Sequence, residues 1–313
     1  MWNRLAKLSF KWRLAIKLSV FGLATAAILY PRPDLLWKQA GNLRDLDALI
    51  DAPLTSLPEI NAAIDARLTP DATTIDELAA VERFVWDAIR YEYDWDNWSN
   101  VDYWPTAAEV WERKREDCDG QAVLAACILR SRGFDDASLV GNINHIWVKA
   151  DRYYILGPDE APTLVDDSGE FTLALPSLRN VLVGVAFVGE FPVVRTLLLY
   201  VVALALCYHP FRRIAGFGIA AGLGALGFLL LLSWAPHYLN GSIDNVTFSF
   251  VLGAELIIAS FALALLMPRL VERIRQERHR APEIDAPAAM QAASAAIASD
   301  PELTPKSVRS MPV

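Results

Sequence analysis

Cysteine is scarce, with three residues in a chain of 313, at positions 118, 127 and 207. None stands at metal-ligand spacing, which argues against both a disulfide framework and a zinc site. The chain also lacks a glycine-rich phosphate loop, a Gly-x-Ser-x-Gly elbow and internal repeats, so P-loop nucleotide chemistry, serine-hydrolase chemistry and solenoid folds fall away. Basic residues are thin between Pro31 and Pro192, about 14 against about 29 acidic ones, and nucleic acid is a poor partner for so acidic a stretch.

Apolar sequence is abundant. The chain is 54% hydrophobic with a mean hydropathy of +0.25, which points to a membrane part. Met1–Lys17 carries five basic residues and no acid, and the apolar run Leu18–Tyr30 follows it. Such a segment is a signal-anchor helix, or a signal peptide cut near Ala24-Thr25-Ala26. Three more apolar runs, Val193–Tyr208, Ile214–Trp234 and Val246–Met267, are long enough to span a bilayer. Lys and Arg are missing from Pro236–Asn245 but crowd Arg212-Arg213 and Arg269–Arg280. By the positive-inside rule both termini are cytoplasmic and the large acidic segment lies outside, with the plasma (inner) membrane crossed several times. The expected domains are therefore 1–30, a signal anchor; 31–192, an extracytoplasmic domain; 193–268, three membrane helices; and 269–313, a basic flank with a disordered tail. Gly218-x-x-x-Gly222, with Gly224 and Gly227, lines the Ile214–Trp234 helix and offers a close-packing face for another membrane helix or membrane protein. Glu255 is the one carboxylate inside an apolar run, either functional or else hydrated or paired with Arg195.

Within 31–192, short helices are expected at Leu43–Ile50 and Pro58–Leu68, and a longer amphipathic one at Asp76–Tyr91. The loop Tyr91–Pro105 is dense in aromatics. Its Asp94, Asp96, Asn100 and Asp102 have a superficial calcium-loop look but lack the sixth-position Gly and the terminal Glu. Trp95, Trp98, Tyr103 and Trp104 wall a cleft or pack into the core. Past Pro162 periodicity fades, and Val181–Val188 is a strand or a membrane-surface segment.

Chemistry gathers in Glu116-Asp117-Cys118-Asp119-Gly120-Gln121 and in Asn144-His145-Ile146-Trp147-Val148. Asp117 reads as an N-cap and Cys118 as the first residue of a helix closing near Arg132-Gly133. Val123, Leu124, Cys127 and Ile128 form its apolar stripe. A thiol at a helix start is favoured as the thiolate by the helix dipole. Asn144–Ala150 alternates as a strand, placing Ile146, Val148 and Ala150 on one face and His145, Trp147 and Lys149 on the other. A strand histidine beside such a cysteine supplies the base that a Cys–His nucleophile needs. Cys127 lies half a turn round and about 13 Å along the helix from Cys118, too far for a disulfide.

With the strand Leu139-Val140-Gly141 and the run Tyr153–Asp159, these elements resemble the transglutaminase-like superfamily, in particular its microbial transglutaminase-like cysteine peptidases, over about Thr74–Pro162. The resemblance implies an α+β fold, a papain-like/transglutaminase-like core, beside the small α-helical transmembrane bundle. It implies Cys118 and His145 as catalytic residues. The family's orienting Asp is replaced here by Gly157. A tight turn at Asp151-Arg152 pairs Ala150 with Tyr153 and leaves Asp159 as the candidate third member. The expected activity is acyl transfer on amide bonds of a peptide or protein through a thioester, by hydrolysis or transamidation, with no metal or organic cofactor. The competing expectation is a non-catalytic binding or sensor module.

Overall fold

The structure, a computed structural model, describes residues 5, 7–157, 162–166, 171–172, 175, 177–187, 189–208, 214–239 and 247–280. Asp159 lies outside the described residues. Mixed helix and sheet make up the fold. Helices α1 (Phe10–Leu29), α2 (Pro33–Asn42), α3 (Leu46–Ile50), α4 (Leu57–Asp65) and α5 (Thr74–Ala88) come first. Strand β1 (Arg90–Tyr91), helices α6 (Asp94–Asn97) and α7 (Ala107–Arg113), and strand β2 (Arg115–Glu116) follow. Then come α8 (Cys118–Ser131), β3 (Ser138–Asn142), β4 (His145–Ala150) and β5 (Tyr153–Ile155). Helices α9 (Leu178–Phe187), α10 (Val193–Tyr208), α11 (Ile214–Leu239) and α12 (Thr247–Arg280) complete the described chain.

Helix α8 is the centre of the core. Every residue from Asp119 to Leu129 is buried, so the apolar stripe expected on one face is instead a helix enclosed all round. Alanines at 122, 125 and 126 let the neighbouring α5, α7 and the β3–β5 sheet approach closely. At its end, Gly133 at φ +95° supplies the left-handed residue that stops the helix. Arg130 pairs with Asp47 and Asp51, and Arg132 with Glu77 and Asp65, all beside the negative end of the dipole. The partners at 47, 51 and 65 are largely exposed, so these pairs orient α3–α5 more than they stabilise them.

The sheet is antiparallel in the order β3-β4-β5, with Ala150 opposite Tyr153 as the turn at Asp151-Arg152 requires. Ile146, Val148 and Ala150 enter the main core as expected. Trp147 is also fully buried, on the other face, between His145 and Tyr154. Residues Arg90–Tyr91, expected as the end of a helix, instead form a strand parallel to Arg115–Glu116. The helix ends at Ala88 and its next residue, Ile89, is extended. Of the run Val181–Val188, residues 181–187 are helical rather than a strand, within Leu178–Phe187, and Val188 lies outside the described residues.

Among the described residues, three helical stretches are long and apolar enough to cross a membrane: Phe10–Leu29, Phe217–Ala235 and Ser249–Leu266; Val193–Tyr208 is a shorter apolar helix. The glycines of α11 divide in use. Gly227 lies so close to the Gly253 carbonyl that a Cβ would sit 2.6 Å from it. Gly218 and Gly222 face open space. Tyr200 joins three helices by donating to the Ala220 carbonyl and bonding Ser260 Oγ at 2.7 Å. Glu255 is exposed. Arg195, its expected partner, donates instead to the Ser99 carbonyl. By contacts the chain divides into Met1–Ala264, which holds the sheet, the Cys118 helix and the glycine contacts above, and Leu265–Val313, of which the helical residues 265–280 are described.

Candidate active site

Cys118 and His145 line one cleft of about 490 Å³. Helix α8 delivers the cysteine at its first turn, and the first residue of β4 delivers the histidine. The Asn142 side chain shapes the reversal between β3 and β4, accepting from the backbone N–H groups of Asn144 and His145. The next amide along, that of Ile146, hydrogen-bonds Cys118 and favours its thiolate.

The far nitrogen of His145 is held by backbone. The carbonyl oxygen of Leu156 lies 2.7 Å from Nε2. A carbonyl only accepts, so Nε2 carries the proton and Nδ1 keeps the lone pair that can act as base. The carbonyl reaches this position because Leu156 is in the left-handed region, φ +62°, where strand pairing with β4 has already ended. A bulky residue there costs about 1–3 kcal/mol and persists only where its surroundings fix it. Here Glu82 of α5 does so, its Oε1 accepting from the Leu156 N–H at 2.7 Å. Gly157 has a steric reason too. A Cβ there would lie 2.5 Å from both Cβ and Cγ of buried Trp147, so the place of the expected orienting Asp has no room for a side chain.

The start of α8 departs from the expected cap. Asp117 occupies the N-cap position but its side chain makes no capping bond. It turns instead toward Asp94, Glu116 and Asp119, and one oxygen from each of the four lies within 4.8 Å of the others. Donors reach part of this cluster. The Tyr103 N–H gives to Asp94 at 2.6 Å, Asn97 Nδ2 and Trp98 Nε1 to Glu116 at 3.0 and 2.8 Å, and the Gly120 N–H to Asp119 at 2.6 Å. Asp94 Oδ1 and Asp117 Oδ1 are buried without a partner among the described residues. Among those residues no Lys or Arg side chain pairs with the four. Burial and the charge of Asp117 push Glu116 up to about 7 and hold Asp94 and Asp119 well above the carboxylate range. Burial and Asp117 likewise lift nearby Asp102 to about 6. Four carboxylates this close cannot all ionise alone. Shared protons relieve the repulsion, and the same four oxygens are the hard donor set that could hold a divalent cation.

This field bears on the thiol. Burial first, then the charge of Asp117, push Cys118 above the usual thiol range. The thiolate expected from the helix dipole alone is therefore opposed, and deprotonation falls to a base. Cys127 is buried in the core and plays no part in the cleft.

The calcium-like set of the aromatic loop is not brought together. Asp94 joins the cluster, Asp96 is exposed, and Asn100 bonds both backbone groups of Arg32. The aromatics also divide: Trp95 and Trp104 line the cleft, whereas Trp98 and Tyr103 pack with Leu35. Sequence reasoning missed Glu82 and Leu156, for which no motif exists because a backbone oxygen does the work. It missed the acid cluster as well, although Glu116-Asp117-x-Asp119 stood in plain view, since Asp94 joins from 22 positions upstream of Glu116. No protein-family model matches this chain, and no curated protein matches it.

Proposed function

We propose that the protein is a membrane-anchored, transglutaminase-like cysteine acyltransferase or peptidase acting on amide bonds outside the cytoplasm. The observation that carries this reading is Cys118 and His145 sharing one cleft, with His145 Nε2 fixed at 2.7 Å by the Leu156 carbonyl so that Nδ1 is the free base. In the proposed reaction Nδ1 takes the thiol proton and the sulfur attacks the amide carbonyl carbon. The backbone N–H groups at the start of α8 receive the oxyanion. The C–N bond then breaks, the imidazolium returns its proton to the leaving amine, and a thioester remains. Water or a second amine resolves it. A thiol that burial and acid neighbours keep protonated makes the base indispensable rather than optional. The Leu156 carbonyl takes the one proton of Nε2 and Nδ1 serves the thiol, so the proposed orienting role falls to that carbonyl rather than to Asp159.

The positions of basic residues support both termini in the cytoplasm and the cleft on the outer face of the plasma membrane. A peptidyl vinyl sulfone tests the chemistry. Labelling at Cys118 that His145→Ala abolishes supports it, and labelling indifferent to His145 opposes it. The raised thiol and the side-chain-free Gly157 favour a second reading, a binding module that keeps the fold without turnover. That reading predicts partner binding unchanged in Cys118→Ala.

A further inference from the structure

Helix α2 presents its apolar side outward. At about 100° per residue, Pro33, Leu36, Trp37, Ala40 and Gly41 share an uncharged arc of roughly 140°. All five are exposed, Leu36 at 38% and Trp37 at 84%. Asp34 and Lys38 flank the arc and pair with Arg32 and Glu109. The opposite side carries buried Leu35 and Gln39. One exposed apolar residue needs no cause, but a whole helix face does.

The inward side helps to build the cleft. Gln39 Nε2 donates to Asp102 at 2.5 Å, and Asn42 Nδ2 to the Trp104 carbonyl at 2.7 Å. Asp102, Trp104 and Leu43, the residue after α2, all line the cleft of Cys118 and His145.

What covers the outward side follows from where α2 begins. Helix α1 has 20 residues, none of them buried. At 1.5 Å per residue it is about 30 Å long, the thickness of a hydrocarbon core, so Leu29 stands at the edge of that core. Only Tyr30, Pro31 and Arg32 intervene before Pro33, and α2 therefore starts no more than about 14 Å from Leu29. The link is held down. The Val101 N–H donates to the Leu29 carbonyl at 2.8 Å, and Asn100 bonds both backbone groups of Arg32. Arg195, in the first turn of α10, donates to the neighbouring Ser99 carbonyl. Leu35 packs on Trp98 and Tyr103, which bracket this same stretch. Helix α2 thus lies on the loop that ties together the ends of two apolar helices. An exposed tryptophan at this level is the side chain that settles among lipid head groups.

We infer that α2 is a membrane-surface helix, its Leu36–Trp37 face seated in the leaflet where α1 ends, so that the Cys118 cleft is held beside the bilayer. The inference rests on α1 crossing a membrane and adds a second attachment to it. Helices of this kind sink their apolar face about 5–10 Å into the boundary between head groups and acyl chains.

The test uses the unaltered full chain, one copy per nanodisc, in phosphatidylcholine doped with an analogue whose acyl chain carries a diazirine close to its ester. After illumination, peptide mass spectrometry should find adducts on α1 and on the peptide that holds Leu36 and Trp37. None is expected on the peptide of Trp86, an exposed tryptophan of α5 that serves as the control. Hydroxyl-radical oxidation of the same discs should modify Trp37 roughly fivefold more slowly than Trp86, although Trp37 is the more exposed on the protein itself. Adducts on α1 with none on α2, or Trp37 oxidised as fast as Trp86, would overturn the inference and leave the membrane anchor standing. An absence of adducts from α1 as well would overturn the anchor and the inference together. Protection of Trp37 that appears only with two copies per disc would overturn the inference by making a second copy the occupant.

Discussion

The carbonyl oxygen of Leu156 accepts from His145 Nε2 at 2.7 Å, so the imidazole of the cleft is oriented by a main-chain group. The arrangement depends on a left-handed leucine, and that leucine depends on Glu82. Replacing Glu82 by Ala leaves the half-buried Leu156 N–H without its acceptor, a cost of about 1–3 kcal/mol. It should also lower Cys118 alkylation at pH 7 roughly tenfold, part of what a positioned base contributes. Gln retains an acceptor oxygen and should restore most of the rate and the pH profile. Equal rates in Glu82→Ala and the unaltered protein would remove Glu82 from the account.

Gly157 makes a sharper steric prediction. Placing an aspartate at this position should fail to orient His145, because its Cβ meets Trp147 at 2.5 Å. Gly157→Asp and Gly157→Ala should both destabilise by about 1–3 kcal/mol, the usual cost of overfilling a packed core. Thermal unfolding followed by tryptophan fluorescence reads this directly. A Gly157→Asp protein that is more stable and more reactive would contradict the packing argument.

The acid cluster predicts an unusual pH profile. Glu116 is lifted to about 7 and Asp102 to about 6 by burial and the charge of Asp117. Unfolded, both titrate near about 4. Between about pH 4 and 7 the folded chain therefore holds protons that the unfolded chain has released, and stability falls as pH rises through this window. Above about 7 the loss is complete. Glu116→Gln, which keeps an acceptor for Trp98, should flatten the fall and raise the melting temperature at pH 8. A melting temperature that rises from pH 5 to 7.5 would show that the cluster is not protonated as described.

Among the long apolar helices, Gly227→Leu should destabilise strongly, since any side chain there strikes the Gly253 carbonyl. Gly222→Leu faces open space and should change stability by no more than about 0.5 kcal/mol. Unfolding in detergent compares the two. The reverse order would mean that the outer glycines, not the inner ones, carry the packing.

Much of this was legible in the sequence because it depends on periodicity and punctuation. The cysteine helix ends at its glycine, β4 alternates as read, and the turn at Asp151-Arg152 sets the pairing of Ala150 with Tyr153. The remainder depends on contacts across long separations. Nothing local marks Asp94 as a neighbour of Asp119, and Arg90–Tyr91 became a strand only because Arg115–Glu116 lies beside it. Asp117 looked like a cap, and a tertiary cluster claimed its side chain instead. The orienting oxygen belongs to Leu156, whose side chain is silent about it.

The central claim is that His145 activates Cys118, and the rate of Cys118 alkylation against pH tests it most directly. Resolving the three cysteines by peptide mass spectrometry allows the full chain to be used without further substitution. The account predicts a Cys118 rate at pH 7 that falls by at least tenfold in His145→Ala, whose profile then shows only a simple thiol titration above the free-thiol value of about 8.5. A Cys118 profile identical with and without His145 would contradict the account and leave a binding module in its place.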